Sequence, residues 1–241
     1  MHPTDKGFAE PIGFIFIGGQ MKTAILIDGG FYRKRASKLW GHKTPEARAD
    51  ELYNYCMAHL NDGQKYEKRE LYRIFYYDCP PTEKKVFHPL LNRTVDFGKN
   101  DTYGWTLSFF EQLKKKRKVA LRYGELSDSS AAFNLKPDVT KALLTGKKTT
   151  DMLEEKDFEF QISQKGVDMR IGIDIASMAF KKQVDQIILI AGDSDFVPAS
   201  KMARREGIDF ILDPMWADIK PNLYEHIDGL KSQWGKKNKG N

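Results

Sequence analysis

The sequence predicts an α/β fold, a three-layer α/β/α sandwich around a central, mainly parallel sheet, on three observations. Two short apolar runs, residues 24–27 and 187–191, each lead into glycine and aspartate. Such β-branched runs are typical of strands buried on both faces of a parallel sheet. Residues 167–212 alternate between helical and strand-like patterns, which favours parallel strands joined by helices. The length of 241 residues suits one large domain with an insertion.

The strands are predicted from runs of branched and aromatic residues bounded by turn residues. The second run, ELYRIFYY, ends at Asp78-Cys79-Pro80-Pro81. The predicted strands are 22–27, 70–77, 119–123, 158–162, 186–191 and 208–212.

The helices are predicted from apolar residues at helical spacing and from their capping signals. Thr44 can cap the second helix and Pro45 suits its first turn, and Asn61-Asp62-Gly63 ends it. The others are 31–40, 103–116, 167–181, 196–205 and 222–232. Residues 82–102 and 127–150 lack a clear period and are predicted to be loops.

The predicted domain covers residues 21–232, with a variable insertion at about 79–150. Residues 1–20 form an N-terminal extension, because Met21 stands directly before the first strand. Residues 233–241 form a basic tail.

Composition favours a soluble cytoplasmic protein. Charged residues make up 30% of the chain, and no apolar stretch is long enough to cross a membrane or to serve as a signal peptide. Cys56 and Cys79 are isolated, which excludes a zinc-finger pattern and fits packing thiols in a reducing compartment. The net charge of +6 is compatible with a nucleic-acid partner.

Acidic residues follow both buried apolar runs. Asp28 ends the first, and Asp193 and Asp195 come just after the second. Asp168 opens a predicted helix in KGVDMRIGID. Ligand sites in parallel sheets lie at the carboxyl ends of the strands, so these carboxylates should meet there and repel one another unless a cation is bound. Mg²⁺ or Mn²⁺ is the expected ion, because hard cations prefer oxygen ligands.

Each acid also has a structural explanation. Asp28 can make a local turn bond, Asp193 can cap a helix, and Asp168 suits a helix N-terminus. Asp174 lies six positions after Asp168, about 120° around the helix, so both cannot point at one centre. We expect Asp174 to lie behind the metal ligands or to be a buried acid that orients them.

The ordered set of strand-DGG, KGVD with a further Asp, and GDSDF before a helix resembles the NYN domain of the PIN-like nuclease superfamily. The resemblance runs from Met21 to about Leu230. It implies divalent-metal-dependent cleavage of RNA, with the catalytic and metal-binding acids Asp28, Asp168, Asp193 and Asp195, and Asp174 as the further member. Many members carry an Asn shortly after the first Asp, where this chain has DGGFYRKR.

Basic residues near the predicted site are expected to contact RNA phosphates. The candidates are Arg33, Arg35, Lys165, Lys114, Lys115, Lys116 and Arg117. Tyr32, Tyr103 and Trp105 are candidates for stacking on unpaired bases. Charge runs are more often solvated helix ends, and aromatic residues more often belong to the core.

The sequence therefore predicts a cytoplasmic, metal-dependent ribonuclease acting on single-stranded or structured RNA. Two alternatives stay open, a non-catalytic RNA-binding or regulatory module and a small-molecule phosphohydrolase. The sequence also leaves open the number of metal ions and whether the chain forms a homo-oligomer.

Overall fold

A computed structural model describes residues 20–61 and 69–235, and these form an α/β/α sandwich. The strands are β1 Met21–Asp28, β2 Arg69–Asp78, β3 Lys85–His88, β4 Arg93–Asp96, β5 Val119–Tyr123, β6 Glu125–Leu135, β7 Phe158–Lys165, β8 Gln186–Ile190, β9 Asp209–Asp213 and β10 Gly229–Leu230. Six of them form a sheet in the order β10-β9-β8-β1-β2-β5, and every pairing in it is parallel. The predicted fold class is confirmed.

Helices cover both faces of this sheet. They are α1 Gly29–Trp40, α2 Pro45–Leu60, α3 Asp101–Lys114, α4 Pro137–Leu144, α5 Val167–Phe180, α6 Val197–Arg205 and α7 Pro221–Tyr224. Buried residues of α5 and α6 pack on one face, and those of α1, α2 and α3 pack on the other.

The two apolar runs lie at the centre of the sheet, where β1 pairs with β8. Along β1, Ala24 and Leu26 face the α5 and α6 layer, while Ile25 and Ile27 face the α1 to α3 layer. All four side chains are fully buried. Burial on both faces explains why the sequence shows a continuous apolar run instead of alternation.

The prediction of loops at 82–102 and 127–150 was wrong. Residues 85–96 contain the antiparallel pair β3–β4, in which alternate residues Val86 and His88 are buried. The polar strand β6 pairs antiparallel with β7, and α4 follows it. Backbone pairing with β7, more than apolar alternation, holds β6 in place. The polar composition of β6 therefore does not predict a strand.

The predicted helix at 222–232 was also wrong beyond its first turn, because α7 ends at Tyr224. Asp228 accepts a hydrogen bond from the Phe210 amide at 2.9 Å and pairs with Arg204 at 2.8 Å. These contacts hold the following residues against β9, where they form β10.

The predicted extension at 1–20 and tail at 233–241 fall mostly outside the described residues, and the domain boundaries stay a prediction. No helix within residues 20–61 and 69–235 is both long and apolar enough to span a bilayer.

Candidate functional site

Three of the predicted acids line one cavity of about 890 Å³ at the carboxyl end of the central strands. Asp28 is the last residue of β1, and Asp193 follows β8 by three residues. Asp168 lies in the first turn of α5. Because β1 and β8 are neighbouring parallel strands, their ends deliver Asp28 and Asp193 to the same edge.

The turn before α5 brings Asp168 to this edge. Gly166 has φ of 79°, a left-handed conformation that favours glycine. A second glycine lets the segment after β8 approach α1, since a Cβ on Gly192 would lie 2.4 Å from the Phe31 ring. Gly166 and Gly192 thus allow the segments that carry Asp28, Asp168 and Asp193 to approach one another closely.

The Asp28 carboxylate is both a helix cap and a charged group in a crowded site. Its Oδ1 accepts a hydrogen bond from the Phe31 amide at 3.0 Å. Burial raises the pKa of Asp28 to about 6, the hydrogen bond from Phe31 opposes the rise, and the charges of Asp168 and Asp78 add to it. The capping explanation and the functional one therefore both apply.

The acidic residues that follow β8 affect the pKa of Asp168. Burial raises the pKa of Asp168, and the negative charges of Asp193 and Asp195 raise it further. Asp193 accepts a hydrogen bond from the Asp195 amide at 3.3 Å, as a cap of the short turn that precedes α6. Asp195 is exposed and lies outside the cavity lining, but its charge reaches Asp168.

Arg33 and Lys34 line the same cavity as these acids but are not ion-paired with them. Across residues 20–61 and 69–235, Asp28, Asp168, Asp193 and Asp195 make no ion pair. Within the same ranges, no three His, Cys, Asp or Glu side chains form a group that could hold a metal ion. The acids share a cavity without forming a closed set of ligands.

The structure places Asp174 away from the cavity lining. Its Oδ2 accepts hydrogen bonds from the Tyr77 hydroxyl at 2.7 Å and from Arg122 Nε at 3.1 Å. Arg122 therefore already supplies the positive charge that a metal would provide. The sequence expectation of an orienting acid fits this position better than that of a ligand.

Asp78 is a site neighbour that the sequence interpretation missed. It is the last residue of β2, is buried, and raises the pKa of Asp28 by its charge. Its carboxylate accepts hydrogen bonds from Arg33 and Tyr76, each at 3.0 Å. The signal was present, since Asp78 ends a buried strand just as Asp28 does.

The two arginines predicted to bind RNA have different places. Arg33 lines the cavity while one of its terminal nitrogens is held by Asp78. Arg35 donates to the Met215 carbonyl at 3.2 and 2.5 Å and lies outside the cavity lining. Lys34, the exposed residue between them, lines the cavity.

The other predicted cations lie further from the acids. Lys165 is exposed at the end of β7 and is not part of the cavity lining, although its neighbours Gln164 and Gly166 are. Residues 114–117 precede β5 and so lie at the amino edge of the sheet, opposite the acids. Lys114 pairs with Glu111 at 2.6 Å, and Lys116 pairs with Asp50.

Two of the three aromatic candidates stay partly exposed. Tyr103 and Trp105 lie on the first turns of α3, beside cavities that adjoin the acidic one. Tyr32 is fully buried beneath α1 and its hydroxyl contacts Glu51, so it cannot stack on a base.

Comparison with known proteins supports the family. A family model of the NYN domain matches residues 106–218, which include Asp168, Asp193 and Asp195. Over these residues the match confirms the resemblance to the NYN domain seen in the sequence.

A search of the curated proteins gives no match. Among solved structures, the chain is similar to a protein of unknown function from Vibrio parahaemolyticus. The two are 12% identical, with 88% of this chain and 91% of that chain covered and a TM-score of 0.44.

Proposed function

We propose that this chain is a metal-dependent ribonuclease that hydrolyses RNA phosphodiester bonds at the acidic cavity. The observation that supports it most is that Asp28, Asp168 and Asp193 line one cavity and that none of them makes an ion pair within the described residues. Repulsion among carboxylates is a cost that a bound cation would remove. The NYN domain match supports a nuclease over other uses of such a site.

The donor set fits Mg²⁺ or Mn²⁺, because all three groups are carboxylates. Mg²⁺ commonly keeps several waters and takes only one or two protein carboxylates, so a closed group of three is not required. We propose that one or two of Asp28, Asp168 and Asp193 bind the ion directly, that the remainder contact its waters, and that Asp195 acts from beside them. A bound ion of this kind lowers the pKa of a bound water and neutralises charge on the phosphate.

The remaining residues of the cavity would position the RNA. Arg33 is fixed by Asp78 and keeps further N–H donors that a phosphate can accept from. Lys34 would add positive charge at the cavity wall. The hydrogen bond from the Phe31 amide orients the Asp28 carboxylate at the cavity wall.

A non-catalytic RNA-binding module is the second candidate. It is favoured by the lack, within the described part of the chain, of a three-residue group able to hold a metal. Cleavage of an end-labelled single-stranded RNA with Mn²⁺, Mg²⁺ or EDTA separates the two. The ribonuclease proposal expects cleavage that EDTA abolishes and that Asp193→Asn lacks.

Asp138→Asn is the matched control, because Asp138 is an exposed acid on α4. Binding of RNA without cleavage under every metal condition would favour the binding module. Hydrolysis of a phosphomonoester without any RNA cleavage would favour a small-molecule phosphohydrolase instead.

A further inference from the structure

A second cavity of about 290 Å³ adjoins the acidic one. The two share Arg33, Ile162 and Gln164 in their walls, so they lie side by side on the surface. The floor of the second cavity includes Cys79 and Pro80, which follow β2. A ligand that lies in the acidic cavity can therefore extend into this one without leaving the surface.

Aromatic rings form much of the second cavity. Phe97 and Phe160 stack with centroids 3.9 Å apart, and Tyr103 lies across from them on α3. All three side chains are only partly buried, so each keeps surface that a ligand can cover. Unstacked bases bind to partly exposed aromatic rings of this kind.

The charge of the two cavities differs. The acidic cavity carries three carboxylates beside Arg33 and Lys34, whereas the second cavity has no carboxylate in its lining and Arg33 as its charged residue within the described chain. Its other polar side chains are neutral, among them Asn100, Thr106 and Gln164. Neutral hydrogen-bonding groups beside aromatic rings suit a heterocyclic base better than a phosphate.

Size supports the same ligand. Pockets for drug-sized molecules start at about 300 Å³, so this cavity suits one small group and not a folded RNA element. Arg33 lies at the junction of the two cavities, where the phosphate joining two nucleotides would pass. Asp78 holds its guanidinium in that place at 3.0 Å.

We propose that this second cavity, hereafter the base pocket, takes one unstacked base of a single-stranded RNA whose neighbouring phosphate lies at the acidic cavity. The proposal rests on the proposed ribonuclease function. It assigns part of the 79–150 insertion a role in selecting unpaired substrate, because Phe97, Asn100 and Tyr103 belong to that segment.

Abasic substitution tests the base pocket directly. Binding of an end-labelled single-stranded RNA is compared with binding of copies that lack one base at each position in turn, with EDTA present. For the wild type, one abasic position should weaken binding about 10-fold, as for the loss of one base–aromatic stack. Tyr103→Ala should lose about the same on intact RNA and lose little more on that abasic copy.

Matched variants keep the result interpretable. Tyr103→Phe retains the ring and should bind as the wild type does. Leu126→Trp fills the pocket and should weaken binding, whereas Ser127→Trp at the adjacent, partly exposed position outside the pocket lining should not. Equal binding of every abasic copy, or losses that simply add, would overturn the base pocket.

Cleavage of the same RNAs in Mn²⁺ distinguishes failure of the base pocket from failure of the proposed ribonuclease function. If intact RNA and every abasic copy were cleaved at the same rate, the ribonuclease proposal would be supported and the base pocket would be contradicted. Abasic-sensitive binding without cleavage would remove the ribonuclease and keep the base pocket. Absence of RNA binding would contradict both.

Discussion

Asp28 and Asp213 occupy equivalent places, since each is the last residue of a parallel strand in the central sheet. Their surroundings differ. Asp213 is fully buried and accepts hydrogen bonds from the Tyr55 hydroxyl at 2.5 Å and the Met215 amide at 2.7 Å. His59 Nε2 lies 2.8 Å from the same carboxylate. Asp28 instead faces a cavity with other acids.

The difference teaches which acids serve the fold and which are free to bind a ligand. Asp213, Asp78 and Asp174 each have a cationic or hydroxyl partner in the protein. Asp28, Asp168 and Asp193 make no ion pair within the described residues and line one cavity. Carboxylates that crowd one cavity without an ion pair repel one another, so such groups are candidates for function.

The largest expected effect is on stability at the satisfied acid. Asp213→Ala should lower the free energy of unfolding by about 3–5 kcal/mol, because it leaves Tyr55 and His59 buried without their acceptor. Urea denaturation measures it. RNA cleavage per folded molecule should stay near wild type, and a specific loss of cleavage would show that Asp213 takes part in the site.

The next effect is on activity at the unpaired acid. Asp28→Asn should lower metal-dependent RNA cleavage at least about 100-fold, because it removes a charge on which cation binding depends. Asn can still accept the hydrogen bond from the Phe31 amide, so α1 should remain capped. Initial rates in Mn²⁺ measure this, and cleavage at the wild-type rate would remove Asp28 from the catalytic set.

The same substitution should change the pH dependence of stability in metal-free protein. The pKa of Asp28 is raised from 3.8 to about 6 by burial, so folding is penalised as pH rises from about 4 to about 6. Above that range Asp28→Asn should be more stable than the wild type by about 1–2 kcal/mol, after allowance for solvent screening.

Urea denaturation at a series of pH values in EDTA checks this prediction. Below about pH 4 the two proteins should have the same stability, because the carboxyl is protonated in both states. A constant difference at every pH would mean that the Asp28 charge is not the cause.

The smallest effect separates the two basic regions. Lys34→Gln should reduce the slope of log binding constant against log salt by about 0.7 for single-stranded RNA, as for one lost phosphate contact. Lys115→Gln should leave the slope unchanged, because Lys115 lies at the opposite edge of the sheet. The reverse outcome would assign the RNA path to residues 114–117.

The central fold could be predicted because its central strands are buried on both faces and because the helices α1, α2 and α3 carry side-chain caps. Thr44, for instance, accepts a hydrogen bond from the Ala47 amide as its position before Pro45 suggested. The β6–β7 pair could not be predicted, because two partly exposed strands pair through backbone hydrogen bonds, which leave no pattern in the amino-acid composition. The short α7 likewise depends on Asp228, a contact between distant segments.

The candidate site divides in the same way. Strand-ending acids point to the carboxyl edge, and three of them do line one cavity. The hydrogen-bond and ion-pair partners of the site residues could not be predicted from the sequence. Arg33 and Arg35 are two positions apart, yet one pairs with Asp78 and the other with the Met215 carbonyl. Helical rotation separates them, but only the neighbouring strands decide what each one meets.

Cation binding by the unpaired acids is the central claim, and titration of metal-free protein with Mn²⁺ in a calorimeter tests it most directly. The wild type and Asp138→Asn should bind the ion alike, and Asp168→Asn should bind it far more weakly. Equal Mn²⁺ binding by wild type and Asp168→Asn, or no binding by the wild type, would contradict the account.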